Sequence, residues 1–217
     1  LSTLGAAAPG DFDSFFTGRT LRVDYSHVGT AKEEHVSLDR LRVEGEWAGP
    51  HSKLVDDSNL GNYRALVRDA ATKRVVWSRG FASIYGEWET TEEAKEHWRS
   101  IEESQRIPEP KAPIEFALEK RGADGGFHPL WSTPIDPSSR FVDRSSIAKQ
   151  GEIIPLFEHG PRATKVDLLI VGDAYTAAQR DEFVADAKRL TDALFATEPY
   201  TRRRNDFNVR LLFLPSN

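Results

Sequence analysis

The sequence predicts a mixed α+β protein: an N-terminal antiparallel β-sandwich, followed by the first strand, helix and strand of an α/β domain. Three observations support this. Short runs rich in β-branched and aromatic residues recur between residues 15 and 135, separated by clusters of Gly, Pro, Asn and Asp. A nearly continuous apolar run begins at Val166, as in a strand covered on both faces. An amphipathic helical pattern and another apolar strand follow it.

The predicted sandwich occupies residues 14–135. Apolar residues alternate with polar ones from Leu21 to Tyr25 and from Val36 to Val43, which is typical of strands with one buried face. Two hairpins are predicted downstream, and glycines in the second loop permit a tight turn. Their strands are Tyr63 to Val67 with Val75 to Ile84, and Ile114 to Glu119 with Phe127 to Trp131.

One helix is predicted within the sandwich region. Thr90 and Glu93 have the spacing of a capping box, and good helix formers continue to Arg106. Pro108 ends the predicted helix because proline cannot donate to a helical hydrogen bond.

Residues 136–164 are rich in Pro, Gly and Ser and are predicted to connect two domains, with the boundary near residue 160. The second domain, residues 165–217, begins with the strand Val166–Val171. Thr176 and Gln179 form a predicted capping box for a helix, and residues 207–214 form the next strand. The predicted buried face of the helix consists of Phe183, Ala187, Leu190 and Leu194.

A single strand-helix-strand unit leaves one sheet face and both sheet edges uncovered. We therefore expect further chain after Asn217, or a partner, to cover them.

Composition excludes several classes of function. The chain has 217 residues and a formal charge of -5, from 29 basic and 34 acidic residues, so nucleic acid is not an expected partner. The basic run Arg202–Arg204 is interpreted as a solvated turn. Cysteine is absent, which excludes disulfides, thiolate nucleophiles and cysteine-ligated zinc. No stretch approaches the ~20 apolar residues that a membrane-spanning helix requires.

The N-terminus carries a possible export signal. The sequence does not begin with methionine, so we expect the natural N-terminus to lie upstream. Residues 1–13 are predicted to be a tail. Ala6 and Ala8 form an Ala-x-Ala pattern that fits a signal-peptide cleavage region, although a flexible tail explains the same residues equally well.

No catalytic, metal-binding or cofactor-binding residue is assigned from the sequence. There is no His-Glu-x-x-His helix, nucleophile elbow, P-loop or dinucleotide fingerprint. The loop from Asp56 to Gly61 offers oxygen ligands but departs from the calcium-loop pattern. Asp173 follows a predicted buried strand, where a turn explains it better than catalysis does. The histidines are scattered, with no two closer than eight residues: His27, His35, His51, His97, His128 and His159.

Several segments resemble the IgA-peptidase family of zinc metalloendopeptidases. The C-terminal part, from Val166 through Thr176 to Phe207-Asn208-Val209, is similar to the start of the family's catalytic domain. Upstream segments are similar to the domain that precedes the peptidase in that family. They are Leu60–Tyr63, Ser78–Phe81, Gly86–Thr91 and Arg106–Lys111.

The resemblance implies the front part of a secreted or envelope-associated bacterial metallopeptidase, with a zincin-like second domain and a protein or peptide substrate. It also implies a Zn²⁺ that activates water with the help of a Glu base. The sequence ends at Asn217, before the zinc-binding helix of that family would appear. We therefore expect zinc in a missing C-terminal part and no activity from this chain alone.

A second interpretation is a non-catalytic adhesion or carbohydrate-binding sandwich. Sugars stack on flat apolar faces, so this interpretation requires exposed aromatic side chains. The candidates are Trp47, Trp77, Trp88, Trp98 and Trp131.

Overall fold

The protein is described by a computed structural model that covers residues 11–216; the Ala6 and Ala8 pattern and most of the predicted tail lie outside these residues. Strands make up 44% of the chain and helices 20%, so the predicted mixed α+β class is confirmed. The chain divides into two compact units. The N-terminal unit comprises residues 11–47 and 51–146, and the C-terminal unit comprises 48–50 and 147–216. No helix in the described part of the chain is long and apolar enough to cross a bilayer.

Two four-stranded sheets form the N-terminal unit. Neighbouring strands pair antiparallel, except for one parallel pair, Glu34–Glu46 with Val142–Asp143. The first sheet has the order β5-β1-β2-β8, from Arg99–Pro110, Phe16–Gly29, Glu34–Glu46 and Val142–Asp143. The second has the order β4-β3-β6-β7, from Val75–Phe81, Tyr63–Asp69, Ile114–Arg121 and Phe127–Ile135. Two short helices belong to the same unit, α1 (Asp11–Phe15) and α2 (Ile84–Trp88).

The core of this unit lies between the two sheets. Alternate residues of β1 point into it, including Leu21 and Val23, and they meet Val67 of β3 and Phe116 of β6 in one buried cluster. This is the period-two pattern that predicted the sandwich. Both predicted hairpins, β3 with β4 and β6 with β7, are confirmed.

The predicted helix from Thr90 to Arg106 is wrong. The structure has a short 3-10 helix at Glu93–Lys95 and then β5, which runs through Pro108. β5 pairs with β1 along its whole length, and this long-range pairing outweighs the helix propensity of its residues. Proline is tolerated because β5 is an edge strand.

The C-terminal unit contains a three-stranded sheet with the order β10-β11-β9. β10 (Val166–Val171) and β11 (Phe207–Phe213) are parallel, whereas β9 (Glu152–Phe157) runs antiparallel to β11. β9 lies within the stretch that the sequence predicted as a connector, because its short apolar run completes the sheet beside β11. The helices are α3 (Arg180–Phe195) and α4 (Tyr200–Arg203), and the remaining 3-10 turns are Arg162–Thr164, Ala177–Gln179 and Arg204–Asp206.

Helix α3 covers one face of this sheet. Phe183 and Ala187 pack against Leu211 and Phe213 of β11, as the sequence predicted for the helix. Leu190, however, is 56% exposed. Every fourth residue from Phe183 faces the sheet, so Thr191 takes the buried position, where its hydroxyl donates to the Ala187 carbonyl.

β10 is not covered on both faces in the described chain. Val166, Leu169 and Val171 are more than half exposed, although Ile170 packs against the α3 core. The apolar sequence of β10 predicted a strand covered on both faces. In the structure one face is covered, because α3 lies on one side of the sheet only.

Candidate functional site

A buried group of ionisable side chains surrounds His27 at one end of the β-sandwich. His27 is the next inward position of β1 after Leu21, Val23 and Tyr25, and it is 1% exposed. Its partners come from both sheets and from α2. We call this group the His27 cluster: His27, Glu34, Tyr63, Ser83, Tyr85, Glu89, Glu103 and Lys120.

Two carboxylates hold the imidazole ring. Nδ1 of His27 lies 3.0 Å from Glu103 Oε2, and Nε2 lies 2.7 Å from Glu34 Oε1. The ring stacks on Tyr85 with centroids 4.1 Å apart and meets Tyr63 edge-on. An ionised carboxylate accepts hydrogen bonds but cannot donate them. With both carboxylates ionised, each ring nitrogen must donate, so this geometry favours the imidazolium form of His27.

The carboxylates are themselves well partnered. Glu103 Oε1 accepts from the Ser83 hydroxyl at 2.7 Å and from the Tyr85 backbone N–H at 3.2 Å. Glu34 accepts from the Tyr63 hydroxyl at 2.8 Å and from Lys120 Nζ at 2.6 Å. Lys120 also reaches Glu89 at 2.7 Å, so two cations face three carboxylates.

The pKa values follow from this geometry. Burial alone would lower the pKa of His27, but its hydrogen bonds and charge interactions with Glu103 and Glu34 outweigh that cost and raise it. Burial alone would raise the pKa of Glu103, but the hydrogen bonds from His27, Ser83 and the Tyr85 N–H lower it to about 2. Burial opposes ionisation of Glu34 as well, and hydrogen bonds, first that of His27, lower its pKa.

This arrangement suits a structural clamp rather than catalysis. Neither nitrogen of His27 has a free lone pair, and the ring is closed to solvent, so it cannot bind a metal or accept a proton from a substrate. The cluster joins β1, β2 and β5 of one sheet to β3 and β6 of the other. Its chemistry holds the two sheets together at this end.

The other residues considered from the sequence do not converge. No three His, Asp or Glu side chains in residues 11–216 are placed to hold a metal ion. Both carboxylate oxygens of Asp56 accept backbone N–H groups, from Ser58 and Gly80, which organises the loop. Asp173 is exposed and precedes Ala174, whose φ is 63°, in the turn after β10.

One tryptophan of the five is exposed. Trp98 is 56% exposed and stacks on the imidazole of His35, whereas the rings of Trp47 and Trp77 are buried in the core. Trp88 and Trp131 are half-buried. Of the five tryptophans, Trp98 is therefore the one that offers the exposed ring that the carbohydrate-binding interpretation requires.

The C-terminal unit contains a smaller polar group around Asn208, which is 1% exposed. Its amide nitrogen donates to Asp167 Oδ1 and to the Gly160 carbonyl, and its oxygen accepts from the His159 backbone N–H. These bonds fix the chain after β9 against β10 and β11.

The basic run of this unit is internally paired. Arg202 bonds to Glu198, Arg203 to Asp206, and Arg204 lies over the Phe157 ring. The run is a helical turn with local acidic and aromatic partners.

In the sequence His27 is one of six scattered histidines, and its cluster was not predicted. A signal was present, because His27 continues the buried alternation of β1. Its partners carried no comparable signal: Glu103 is 76 positions away and lay within the segment predicted as a helix.

Comparison with known families covers most of the chain. The family model described as Peptidase M64 N-terminus matches residues 11–132, more than half of the chain. The model described as IgA Peptidase M64 matches residues 154–217. No curated protein gives a significant match.

Proposed function

This chain belongs to the M64 peptidase family, and from that membership we propose that it is part of an exported, zinc-dependent metalloendopeptidase. The observation that carries the proposal is the pair of matches, which follow each other along the chain in the order of the two units. The C-terminal unit supports it with parallel strands joined through a helix, the opening expected of the α/β peptidase domain. The substrate class is protein or peptide.

The described residues do not fit a zinc site. No three-residue donor group exists among residues 11–216, and the one buried histidine is held by two carboxylates. The metal ligands and the general base of the proposed enzyme would therefore have to come from other residues. When bound in such a site, Zn²⁺ lowers the pKa of its water and polarises the scissile carbonyl. We derive no catalytic step from the side chains described above.

The first test is to read the natural reading frame beyond Asn217 for a His-Glu-x-x-His helix. The full product is then purified, its zinc content is measured, and hydrolysis of casein is followed with and without 1,10-phenanthroline. We expect about one zinc per chain and activity that the chelator abolishes and added zinc restores. The matched control replaces the Glu of that motif by Gln, which should retain zinc and lose hydrolysis.

Residues 1–217 alone should neither retain zinc nor hydrolyse casein. A frame without a metal motif, or a full product that is active with no zinc, would contradict the proposal. Export is tested separately by fractionating the native host, where the product should appear outside the cytoplasm.

The carbohydrate-binding alternative rests on Trp98 alone. Glycan binding by the full chain that is lost in Trp98→Ala, with Trp88→Phe as the control, would favour it over the peptidase.

A further inference from the structure

A groove lies beside β5 in the N-terminal unit. β5 ends its sheet, with β1 as its one strand neighbour in the described chain. The groove has a volume of about 280 Å³. Its lining includes four consecutive β5 residues, 102–105, and the chain between β4 and α2: Tyr25, Phe81, Ala82, Ile84, Glu102, Glu103, Ser104 and Gln105.

The floor of this groove contains an unsatisfied polar group. Tyr25 is 1% exposed, and its hydroxyl makes no hydrogen bond of normal length and angle within residues 11–216, although Glu103 and Gln105 lie close enough to affect its pKa. A buried hydroxyl without a well-formed hydrogen bond destabilises the protein. Burial and the nearby charge of Glu103 raise the pKa of Tyr25, so the hydroxyl stays protonated and can donate. A ligand in the groove can supply the missing partner.

The charged residues that line the groove favour a ligand of one sign of charge. Glu102 and Glu103 both line the groove, and no lysine or arginine does. Glu103 is held by His27, but Glu102 is exposed and has a free carboxylate face toward solvent. A cationic group therefore fits better than an anionic one.

The same charges argue against two other occupants. If β5 of a second copy paired antiparallel here about Glu102, the two Glu102 carboxylates would lie opposite each other on the same face of the sheet, which is repulsive. Sugar rings need an exposed flat aromatic face, whereas Tyr25 is buried and Phe81 is partly buried. A groove beside an edge strand such as β5 instead offers what an extended peptide requires, which is a strand edge to which it can add.

We propose that this groove binds an extended peptide segment with a central Arg or Lys, which adds as a strand to β5, presents its basic group to Glu102 and gives the Tyr25 hydroxyl a partner. This concerns the N-terminal unit and holds whether or not the proposed peptidase activity is found.

The test uses the full ¹⁵N-labelled chain and a β-prone probe, the heptapeptide Thr-Val-Thr-Arg-Thr-Val-Thr. We expect saturable shifts of the amide signals of residues 81–84 and 102–105. Replacing the probe's Arg by citrulline should weaken binding, and Glu at that place should weaken it further. Two further probes carry N-methyl groups on alternate backbone nitrogens, one on the odd-numbered residues and one on the even-numbered residues. Only one edge of an added strand donates its N–H groups to β5, so one of these two peptides should fail to bind and the other should still bind.

Two variants test the residues. Tyr25→Phe removes only the unpaired hydroxyl, so the fold should persist while the probe binds ~2- to 10-fold more weakly. Glu102→Gln should reduce the preference for Arg over citrulline about 2- to 5-fold. Glu96→Gln, an exposed carboxylate that does not line the groove, is the control and should change neither value.

Absence of saturable shifts at millimolar probe overturns the proposal. The proposal is also overturned if the shifts map to other residues or if both variants leave probe binding unchanged. Equal binding of the two N-methylated peptides and the unmethylated probe would overturn it as well. Dimerisation through β5, detected by light scattering without probe, would replace the peptide by a second copy and would also overturn it.

Discussion

At His27, two carboxylates offset the cost of burying a charged ring. Removing one partner of such a group leaves the opposite charges buried without compensation, which is far more costly than losing an exposed ion pair. The matched comparison is His35, which pairs with Glu33 on the surface, where both side chains are 59% exposed.

We expect His27→Ala to lower the free energy of unfolding of the N-terminal unit by ~3–5 kcal/mol, because Glu34 and Glu103 lose their shared cation. His35→Ala should cost under ~1 kcal/mol. Urea denaturation followed by tryptophan fluorescence measures both, since all five tryptophans lie in this unit. Equal costs for the two variants would show that the His27 cluster does not act as a clamp.

The lowered pKa of Glu103 predicts acid sensitivity. A carboxyl whose folded pKa lies below its unfolded pKa contributes stability above the unfolded pKa and loses it as pH falls through the folded pKa. With a folded pKa of about 2, stability should fall by ~3 kcal/mol between pH ~4.5 and 2. Glu103→Gln should flatten the slope in that window, and an unchanged slope would assign acid sensitivity to other groups.

The contribution of His27 to stability depends on pH in the opposite direction. Its folded pKa is raised, so its contribution is complete below the unfolded pKa of about 6.5 and is lost as pH rises through the folded value. The N-terminal unit should therefore be most stable between these two losses.

Among the elements, β5 shows what local sequence could not predict. Its residues include good helix formers, and the capping pattern at Thr90 and Glu93 favours a helix start. In the structure the Thr91 hydroxyl accepts from the Ala94 N–H beside a single 3-10 turn, and β5, which starts at Arg99, pairs with β1. The sequence does contain a strand-like alternation, with Ile101, Glu103 and Ile107 toward the core. The strand that pairs with it, β1, lies some eighty residues upstream, so local sequence could not indicate the pairing.

The sandwich hairpins were predictable because their signals are local. β3 and β4 pair across a short turn, as do β6 and β7, where Gly125 takes a φ of 77°. The His27 cluster was not predictable, because its members come from six elements and one contact, Lys120 to Glu34, spans 86 positions. Periodicity reports which face is buried but not which polar groups meet there.

Two substitutions in α3 test which of its residues face the sheet. Phe183→Ala should destabilise the C-terminal unit by ~3–5 kcal/mol, because the ring is 2% exposed and packs on Phe213. Leu190→Ala should cost under ~1 kcal/mol, since this side chain is 56% exposed. Thermal melts in far-ultraviolet circular dichroism measure both. A large cost at Leu190 would restore the face predicted from the sequence.

For the molecule as a whole, the division into two units predicts where a protease cuts first. Residues 144–150 are exposed and have no regular secondary structure, and Lys149 lies among them. Limited trypsin digestion should cleave in this segment, after Lys149 or Arg144, before any strand of the N-terminal unit. The larger product should keep its native tryptophan fluorescence.

Lys149→Gln should slow this cleavage. Early cuts within β1 to β7, or loss of the native fluorescence on cleavage, would show that the N-terminal unit does not hold its fold without the C-terminal one.

The pairing of β1 with β5 also constrains the order of folding. Gly29 pairs with Arg99 and Phe16 with Pro110, so β1 cannot gain this neighbour until the chain as far as residue 110 is available. At ~5–20 residues synthesised per second, β1 waits on the order of ten seconds with one edge unpaired. Pairings of such high contact order form slowly and expose the chain to misassembly. A nascent chain of this protein should therefore depend on a chaperone, or on passage through a translocon before folding, during the interval between its first strand and its fifth.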